Sequence, residues 1–364
     1  MKDTGITYAG MKVYTDENIP NDGATFGYMM PKTPEWDLVK GDCTQVMALM
    51  EENSVDAVVA DPPYLYEFMG KGWDKAVNHR EWHCAWAKEA LRILKPGGYL
   101  LAFGGPRTYH HLTSGIEEAG FEIKDSVMWI HSQGFPKSKN LKPAHEPIAV
   151  ARKPFKGSLK ANVEKWGTGQ FNIDACRIGD EGPPSNRFVN GAKPFGDAVG
   201  EAYETTGPTE GRWPANLAFE EGVDLDERYF FCAKASKKEK DAGITEEKAN
   251  DRFPTRRCTT CKKNVPQPGS CGCPDAEIEW VEAKPMKNIH PTVKPIELMR
   301  WLVKLVTPPG GLVVDPFVGS GTTGIAAIQE GFDFLGIDRD DDDEYLEIAR
   351  LRMEHWEGED DPLQ

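Results

Sequence analysis

The chain has 364 residues, 39 % of them apolar, with 36 glycines and 27 prolines, which is enough apolar mass for a sizeable core and too little Gly and Pro for a disordered chain. No run approaches the roughly 18 apolar residues of a membrane span, and Met1-Lys2-Asp3-Thr4-Gly5 opens no apolar leader, so a cytoplasmic protein without membrane contact is expected. The net charge of −15 is unevenly spread: residues 338–364 hold twelve acids against Arg339, Arg350 and Arg352, whereas 131–165 and 228–263 each carry a net +6.

In chain order, 36–42 reads as a short strand ending in a Gly-Asp turn, and 44–52 as a helix. Residues 55–60 form a continuous apolar run bounded by turn signals, which suits a strand buried on both faces of a parallel sheet. A helix over 81–94 follows, with Trp82, Trp86, Ala90 and Leu94 at helical spacing, stopped by Lys95-Pro96-Gly97-Gly98. A strand at 99–103, a helix at 109–119 and a strand at 121–130 continue the alternation. From 132 to 285 the periodicity weakens and Gly, Pro, Lys and isolated aromatics dominate. Regular signal returns with a helix at 295–306, a strand at 312–314, a helix at 322–330, a strand at 332–337 and a helix at 344–355. This pattern predicts an α/β fold, a doubly wound sheet assembled from both chain ends, 1–131 and 286–356. Residues 132–285 would be an irregular insert, and 357–364 an acidic tail.

Two motifs sit at strand ends. Asp61-Pro62-Pro63-Tyr64 follows the strand at 55–60. Its prolines donate no amide hydrogens, so carbonyl acceptors stand beside a carboxylate, with an aromatic ring next to them. Such a turn can accept both N–H bonds of an exocyclic amine on Asp61 and the Pro62 carbonyl while Tyr64 stacks on the ring that bears it. An ordinary capped Pro-Pro turn is the plainer alternative. The second motif, Asp315-Pro316-Phe317-Val318-Gly319-Ser320-Gly321-Thr322-Thr323, joins a strand to a helix. Its glycines allow close backbone approach to a ligand, and the helix start favours a negative group. Gly336-Ile337-Asp338 ends the next strand, where an acid can take ribose hydroxyls.

Together these motifs resemble those of the amino-type (N6-adenine or N4-cytosine) DNA methyltransferases. The order, catalytic motif before cofactor loop, resembles the permuted β group. His290-Pro291-Thr292-Val293-Lys294-Pro295 is similar to that family's third cofactor segment. Looser similarity to phage and prophage members runs through Gly134-Phe135-Pro136-Lys137-Ser138, Trp166-Gly167-Thr168-Gly169 and Gly211-Arg212-Trp213-Pro214-Ala215-Asn216. The resemblance implies S-adenosylmethionine as methyl donor and double-stranded DNA as partner. It implies catalysis by Asp61, Pro62, Pro63 and Tyr64. It implies cofactor contacts from Asp42, Thr292, Lys294, Asp315, Phe317, Gly319, Gly321, Thr322 and Asp338. Dimers are common in the resembling group; a cognate restriction nuclease is not legible.

An exocyclic amine is a poor nucleophile because its lone pair is delocalised into the ring. Two N–H bonds accepted at the turn would localise that lone pair for direct in-line transfer. No cysteine follows a proline, which argues against a covalent C5-cytosine mechanism. Asp rather than Ser at position 61 favours adenine, with cytosine N4 as the alternative. An RNA or protein amide acceptor, or a non-catalytic zinc-bearing DNA-binding module, are the more distant readings.

The base must leave the duplex, so the insert is expected to grip phosphates through Lys137, Lys139, Lys142, Arg152 and Lys153, then Lys237, Lys238, Arg252, Arg256 and Arg257. Cys258, Cys261, Cys271 and Cys273 are spaced C-x₂-C-x₉-C-x-C, a pattern for one structural Zn²⁺ with no open coordination position; free thiols on a loop are the alternative. The acids at 340–343 read as a solvated helix start.

Overall fold

The computed structural model describes residues 35–66, 77–131, 141–179, 211–220, 229–245, 257–262, 271–273, 277–281, 287–339 and 344–357. It also gives the backbone of four short strands and of residues 255 and 256. The strands are β1 (Asp3–Tyr8), β2 (Met11–Tyr14), β3 (Trp36–Lys40), β4 (Val55–Ala60), β5 (Leu94–Phe103), β6 (Glu122–Ile130), β7 (His145–Arg152), β8 (Ser185–Phe188), β9 (Ala202–Thr205), β10 (Leu217–Phe219), β11 (Phe230–Phe231), β12 (Thr255–Cys258), β13 (Ile278–Val281), β14 (Leu312–Asp315) and β15 (Asp333–Asp338). The helices are α1 (Cys43–Ala48), α2 (His79–Ile93), α3 (Tyr109–Glu118), α4 (Leu159–Trp166), α5 (Lys237–Asp241), α6 (Ile296–Val306), α7 (Thr322–Gln329) and α8 (Tyr345–Glu357).

Nine strands form one sheet in the order β11-β10-β6-β7-β5-β4-β14-β15-β3. Within it β7 runs antiparallel to both its neighbours and the other pairings are parallel, so the sheet is mixed. Every residue of β4 is buried because both faces are covered. Ala57 and Val59 pack with Leu298, Leu302 and Ile325 of α6 and α7 on one face. Val55 and Val58 pack with Trp86, Ala90 and Leu112 of α2 and α3 on the other. The two-residue period sorts Ala57, Val58 and Val59 into two core layers, while Val55 falls out of phase where the register with β5 shifts between Val55 and Ala57.

One charge interrupts β4. Asp56 is buried, takes the ammonium of Lys95 at 2.7 Å and accepts the amide of Leu312 at 2.9 Å. It ties β4 to the strands on both sides, which compensates its loss of water.

Each expected element outside the insert is present within a few residues of its predicted bounds. The sheet, however, reaches into the stretch expected to be irregular. β7 inserts between β5 and β6, and β10 and β11 extend the edge beyond β6. The β7 signal, Ile148-Ala149-Val150-Ala151, is apolar but lies between Pro147 and the pair Arg152-Lys153, and both its partners precede it in the chain. Residues 95–98 end α2 as expected, yet they already belong to β5. The motif residues 134–138, the acids at 340–343 and the tail 358–364 lie outside the described residues.

β4 and β14 are adjacent and parallel, with Val313 beside Ala57 and Val314 beside Val58. From β4 the chain passes through α2 to β5 on one side, and from β14 through α7 to β15 on the other. Their C-terminal ends flank the crevice that such a reversal of winding opens.

Candidate active site

The turn 61–64 leaves the C-terminal end of β4 at this crevice. The two oxygens of Asp61 have different surroundings. Oδ2 receives the ammonium of Lys294 at 2.5 Å, while Oδ1 is buried without a donor among the described residues. Lys294 lies 3.3 Å from Glu146 Oε2 and 3.3 Å from the Tyr64 hydroxyl oxygen. The Tyr64 hydroxyl donates to Glu146 Oε2 at 2.7 Å, and the Tyr64 carbonyl accepts from Thr108 at 2.8 Å. The ammonium also lies 4.8 Å from the centre of the Phe103 ring.

The cluster holds two carboxylates and one ammonium in a largely dry place. Burial pushes the Asp61 carboxyl up, against the pull of Lys294. Burial alone would lower Lys294, but Asp61 and Glu146 outweigh it and hold the ammonium above its ordinary value. Burial of Tyr64, with both carboxylates close, keeps its hydroxyl protonated. Lys294, expected among the cofactor contacts, has its ammonium on the turn.

Across the crevice the Gly loop joins β14 to α7. Asp315 points inward: its Oδ1 accepts the amide of Phe317 at 2.9 Å and its Oδ2 accepts the hydroxyl of Thr323 at 2.5 Å. Burial pushes its carboxyl up to about 7. Phe317 packs against α2, its ring centre 5.7 Å from that of Trp82 and 5.4 Å from that of Trp86. Gly319 has φ +50° and lies against His290, whose Nε2 would be 2.6 Å from any added Cβ. Gly321 begins α7 with φ +79°, so the helix start carries no capping side chain. Thr322 is buried just inside it.

Asp338 ends β15 and accepts the amide of Gly319 at 2.9 Å, while its own carbonyl accepts from Gly41. Asp42 follows directly, beyond the neighbouring strand β3, and caps α1 by accepting the Thr44 amide at 2.9 Å. The two acids thus stand at adjacent strand ends beside the Gly loop. Thr292 is exposed, its amide directed at His290 Nδ1. Of the expected cofactor residues, Asp42, Asp315, Phe317, Gly319, Gly321, Thr322 and Asp338 belong to the rim or scaffold of this loop. Only Lys294 among them sits with the turn 61–64.

Two functional neighbours were not singled out from the sequence. Glu146, on β7, was counted only as a charge against the basic stretch. Arg352, on α8, was counted only as a charge in the acidic end. Its guanidinium is buried and donates to the Ser320 carbonyl, the Ser320 hydroxyl and Thr322 Oγ1. No local pattern marks either residue, because their partners are remote in sequence.

The four clustered cysteines come together at the hairpin of β12 and β13, with one sulfur from each within 4.8 Å of the others. Gly272 and Lys262 take positive φ beside them, giving the tight turns such a cluster needs. The basic residues divide. Lys153 donates to Asn53 Oδ1 and to the carbonyls of Arg92 and Leu94, and Arg152 pairs with Glu122 at 3.0 Å, so both serve the fold instead of the expected phosphates. Lys142, Lys237 and Lys238 are exposed. Lys137, Lys139, Arg252 and the Arg256 side chain lie outside the described residues, and Arg257 is half-buried. No helix among the described residues is long and apolar enough to cross a membrane.

A family model described as DNA methylase, of the N6 and N4 amino type, matches residues 55–350. The chain is 25 % identical over 335 residues to the type II methyltransferase M2.DpnII of Streptococcus pneumoniae, covering 87 % of this chain and 89 % of that one. It is 22 % identical over 324 residues to the type II methyltransferase M.HpaI of Haemophilus parainfluenzae, covering 87 % and 74 %. Its fold is similar to the solved PvuII DNA methyltransferase (cytosine-N4-specific), with a TM-score of 0.50, 16 % identity, and coverage of 91 % of this chain and 89 % of that one.

Proposed function

The chain belongs to the amino-type DNA methylase family, and on that premise we propose that it methylates the N6 amine of adenine in double-stranded DNA, after the base has swung out of the helix. Membership makes it an S-adenosylmethionine-dependent DNA methyltransferase; the choice of base and the roles of individual residues are what we propose. The observation that carries it is the unequal dressing of Asp61, just past the C-terminal end of β4 beside β14: Oδ2 is held by Lys294, while buried Oδ1 has no donor among the described residues.

In this reading Asp61 Oδ1 and the Pro62 carbonyl accept the two N–H bonds of the target amine, and Tyr64 stacks on the base. Pro63 keeps the turn free of competing amide donors. The accepted bonds draw the lone pair out of ring conjugation and aim it at the donor side. S-adenosylmethionine, when bound, supplies a methyl group on a positively charged sulfur. The Gly loop, with its uncapped helix start, suits the carboxylate of the methionine moiety, and Asp338 and Asp42 suit the ribose and adenine. Asp338 now accepts the Gly319 amide, so it is already oriented toward that loop. Aspartate rather than serine at position 61 is the feature that favours adenine over cytosine.

The parts of the insert outside the sheet are assigned to the DNA grip, with Lys142, Lys237 and Lys238 as exposed phosphate contacts. Cys258, Cys261, Cys271 and Cys273 are assigned to one structural Zn²⁺; four thiols converging on one point fit a closed tetrahedral site. Incubation with methyl-labelled S-adenosylmethionine and unmethylated genomic DNA, followed by digestion to nucleosides, tests the central reading. Label in N6-methyladenine is expected. Label in N4-methylcytosine overturns the choice of base, and label in RNA or protein alone overturns DNA as substrate.

A further inference from the structure

Glu146 stands on the single antiparallel strand of the sheet, 82 residues beyond Tyr64, and its Oε2 accepts the Tyr64 hydroxyl at 2.7 Å while lying 3.3 Å from the Lys294 ammonium. The same ammonium reaches Asp61 Oδ2 at 2.5 Å. One carboxylate from β7 is therefore joined to both working parts of the turn: directly to the ring that stacks, and through a lysine to the carboxylate that accepts. We propose that Glu146 is a positioning residue for methyl transfer, holding Lys294 between two carboxylates so that Asp61 presents only Oδ1 to the target amine, and fixing the Tyr64 ring beside it. This rests on the amine-methylating reading of the turn.

The geometry requires a second carboxylate. A lysine paired with Asp61 alone would be free to slide across both oxygens and cover the atom the amine needs. With Glu146 pulling from the Tyr64 side, the ammonium stays on Oδ2. The Tyr64 hydroxyl, tied at its outer end, leaves the ring face as the part available for stacking. Among the described residues His131, at 3.9 Å from Glu146 Oε1, also faces this carboxylate. Burial lowers its pKa, which favours the neutral ring.

Glu146→Gln keeps the shape and can still accept from Tyr64, but it removes the charge that shares Lys294. The measurements are the transfer rate at saturating S-adenosylmethionine with methyl-labelled donor and genomic DNA, and the donor affinity by calorimetry. The expected result is a fall in kcat of roughly 10- to 100-fold with donor Kd changed by less than about threefold, because only the acceptor side is misaligned. Glu146→Asp, which keeps the charge on a shorter arm, is expected to recover part of the rate. An unchanged kcat in Glu146→Gln, or a Kd that worsens as much as kcat falls, overturns the proposal. A second readout does not depend on activity: acylation of lysines by acetic anhydride, mapped by mass spectrometry. Lys294 is expected to be protected in the wild-type chain and labelled about tenfold faster in Glu146→Gln, as the ammonium loses one of its two counter-charges. Equal labelling in both proteins overturns the clamp. Wild-type protein that binds donor but methylates no DNA base would overturn the functional reading instead, and the labelling result would still judge the clamp.

Discussion

Arg352 donates to Ser320 twice, to its carbonyl oxygen at 2.5 Å and to its hydroxyl at 3.1 Å, and so fastens the last helix to the inside of the Gly loop. The same guanidinium nitrogen reaches Thr322 Oγ1 at 3.1 Å. The loop is thus held from three directions: by Arg352 beneath, by Asp315 through Phe317 and Thr323, and by Asp338 through Gly319. Preorganisation of this kind lets a backbone cradle receive a ligand without first being ordered.

Replacing Arg352 by Met fills most of the volume but leaves buried acceptors without donors, each costing roughly 1–3 kcal/mol. The expected outcome is a drop of several degrees in Tm together with roughly tenfold weaker donor binding, because the loop must be reordered on binding. Calorimetric titration and a thermal melt on the same preparation check this. A melt that shifts while donor affinity stays put would confine Arg352 to a structural role.

Gly319→Ala sets a side chain against His290 Nε2 at 2.6 Å and into a backbone with φ +50°. Either His290 or the loop must yield, and the expected cost is about 1–3 kcal/mol, concentrated in donor binding because the loop itself is displaced. A variant with wild-type donor affinity would show that the loop can shift without loss.

Asp61→Ala removes the acceptor while leaving the Gly loop intact. Transfer is expected to fall by at least about a thousandfold, as for loss of an obligatory orienting group, with donor affinity within about threefold of wild type. Equal loss of transfer and of donor binding would contradict the division of labour between the two strand ends.

The Asp315 carboxyl, raised from an ordinary 3.8 to about 7 by burial, links stability to pH. Between those two values the unfolded chain has lost the proton and the folded chain keeps it. Folding stability from this group therefore declines as pH rises from about 4 to about 7, and is constant above. Asp315→Asn removes the titration and keeps an acceptor for the Phe317 amide. In donor-free protein its Tm relative to wild type is expected to improve from pH 5 to pH 8, by an amount corresponding to roughly 2–4 kcal/mol. An offset that is the same at both pH values would show that Asp315 is ionised throughout.

The four-cysteine cluster predicts one equivalent of zinc per chain by elemental analysis of the purified protein. Cys271→Ser is expected to reduce that content and to expose the hairpin of β12 and β13 to proteolysis before the sheet unfolds. Native protein without metal, and with all four thiols freely titrated, would remove the metal from the account.

Much of this protein is legible in local sequence. The run at 55–60, the helix rhythm of 81–94 and the glycines at 319 and 321 each carry their structure in neighbouring residues, because strand burial, helical period and positive φ are short-range constraints. β4 and β14, far apart in the chain, lie side by side and bring the two motifs to one edge of the sheet. What the sequence left dark is what depends on remote partners. β7 reads as part of a basic insert, yet it completes the sheet between two strands that precede it. Lys153 and Arg152 read as phosphate ligands until Arg92, Leu94 and Glu122 are seen to occupy them. Glu146, Lys294 and Asp61 lie on three separated segments, and nothing periodic joins them; a buried charge needs its counter-charges in space rather than in sequence, so only the tertiary structure could bring that cluster together.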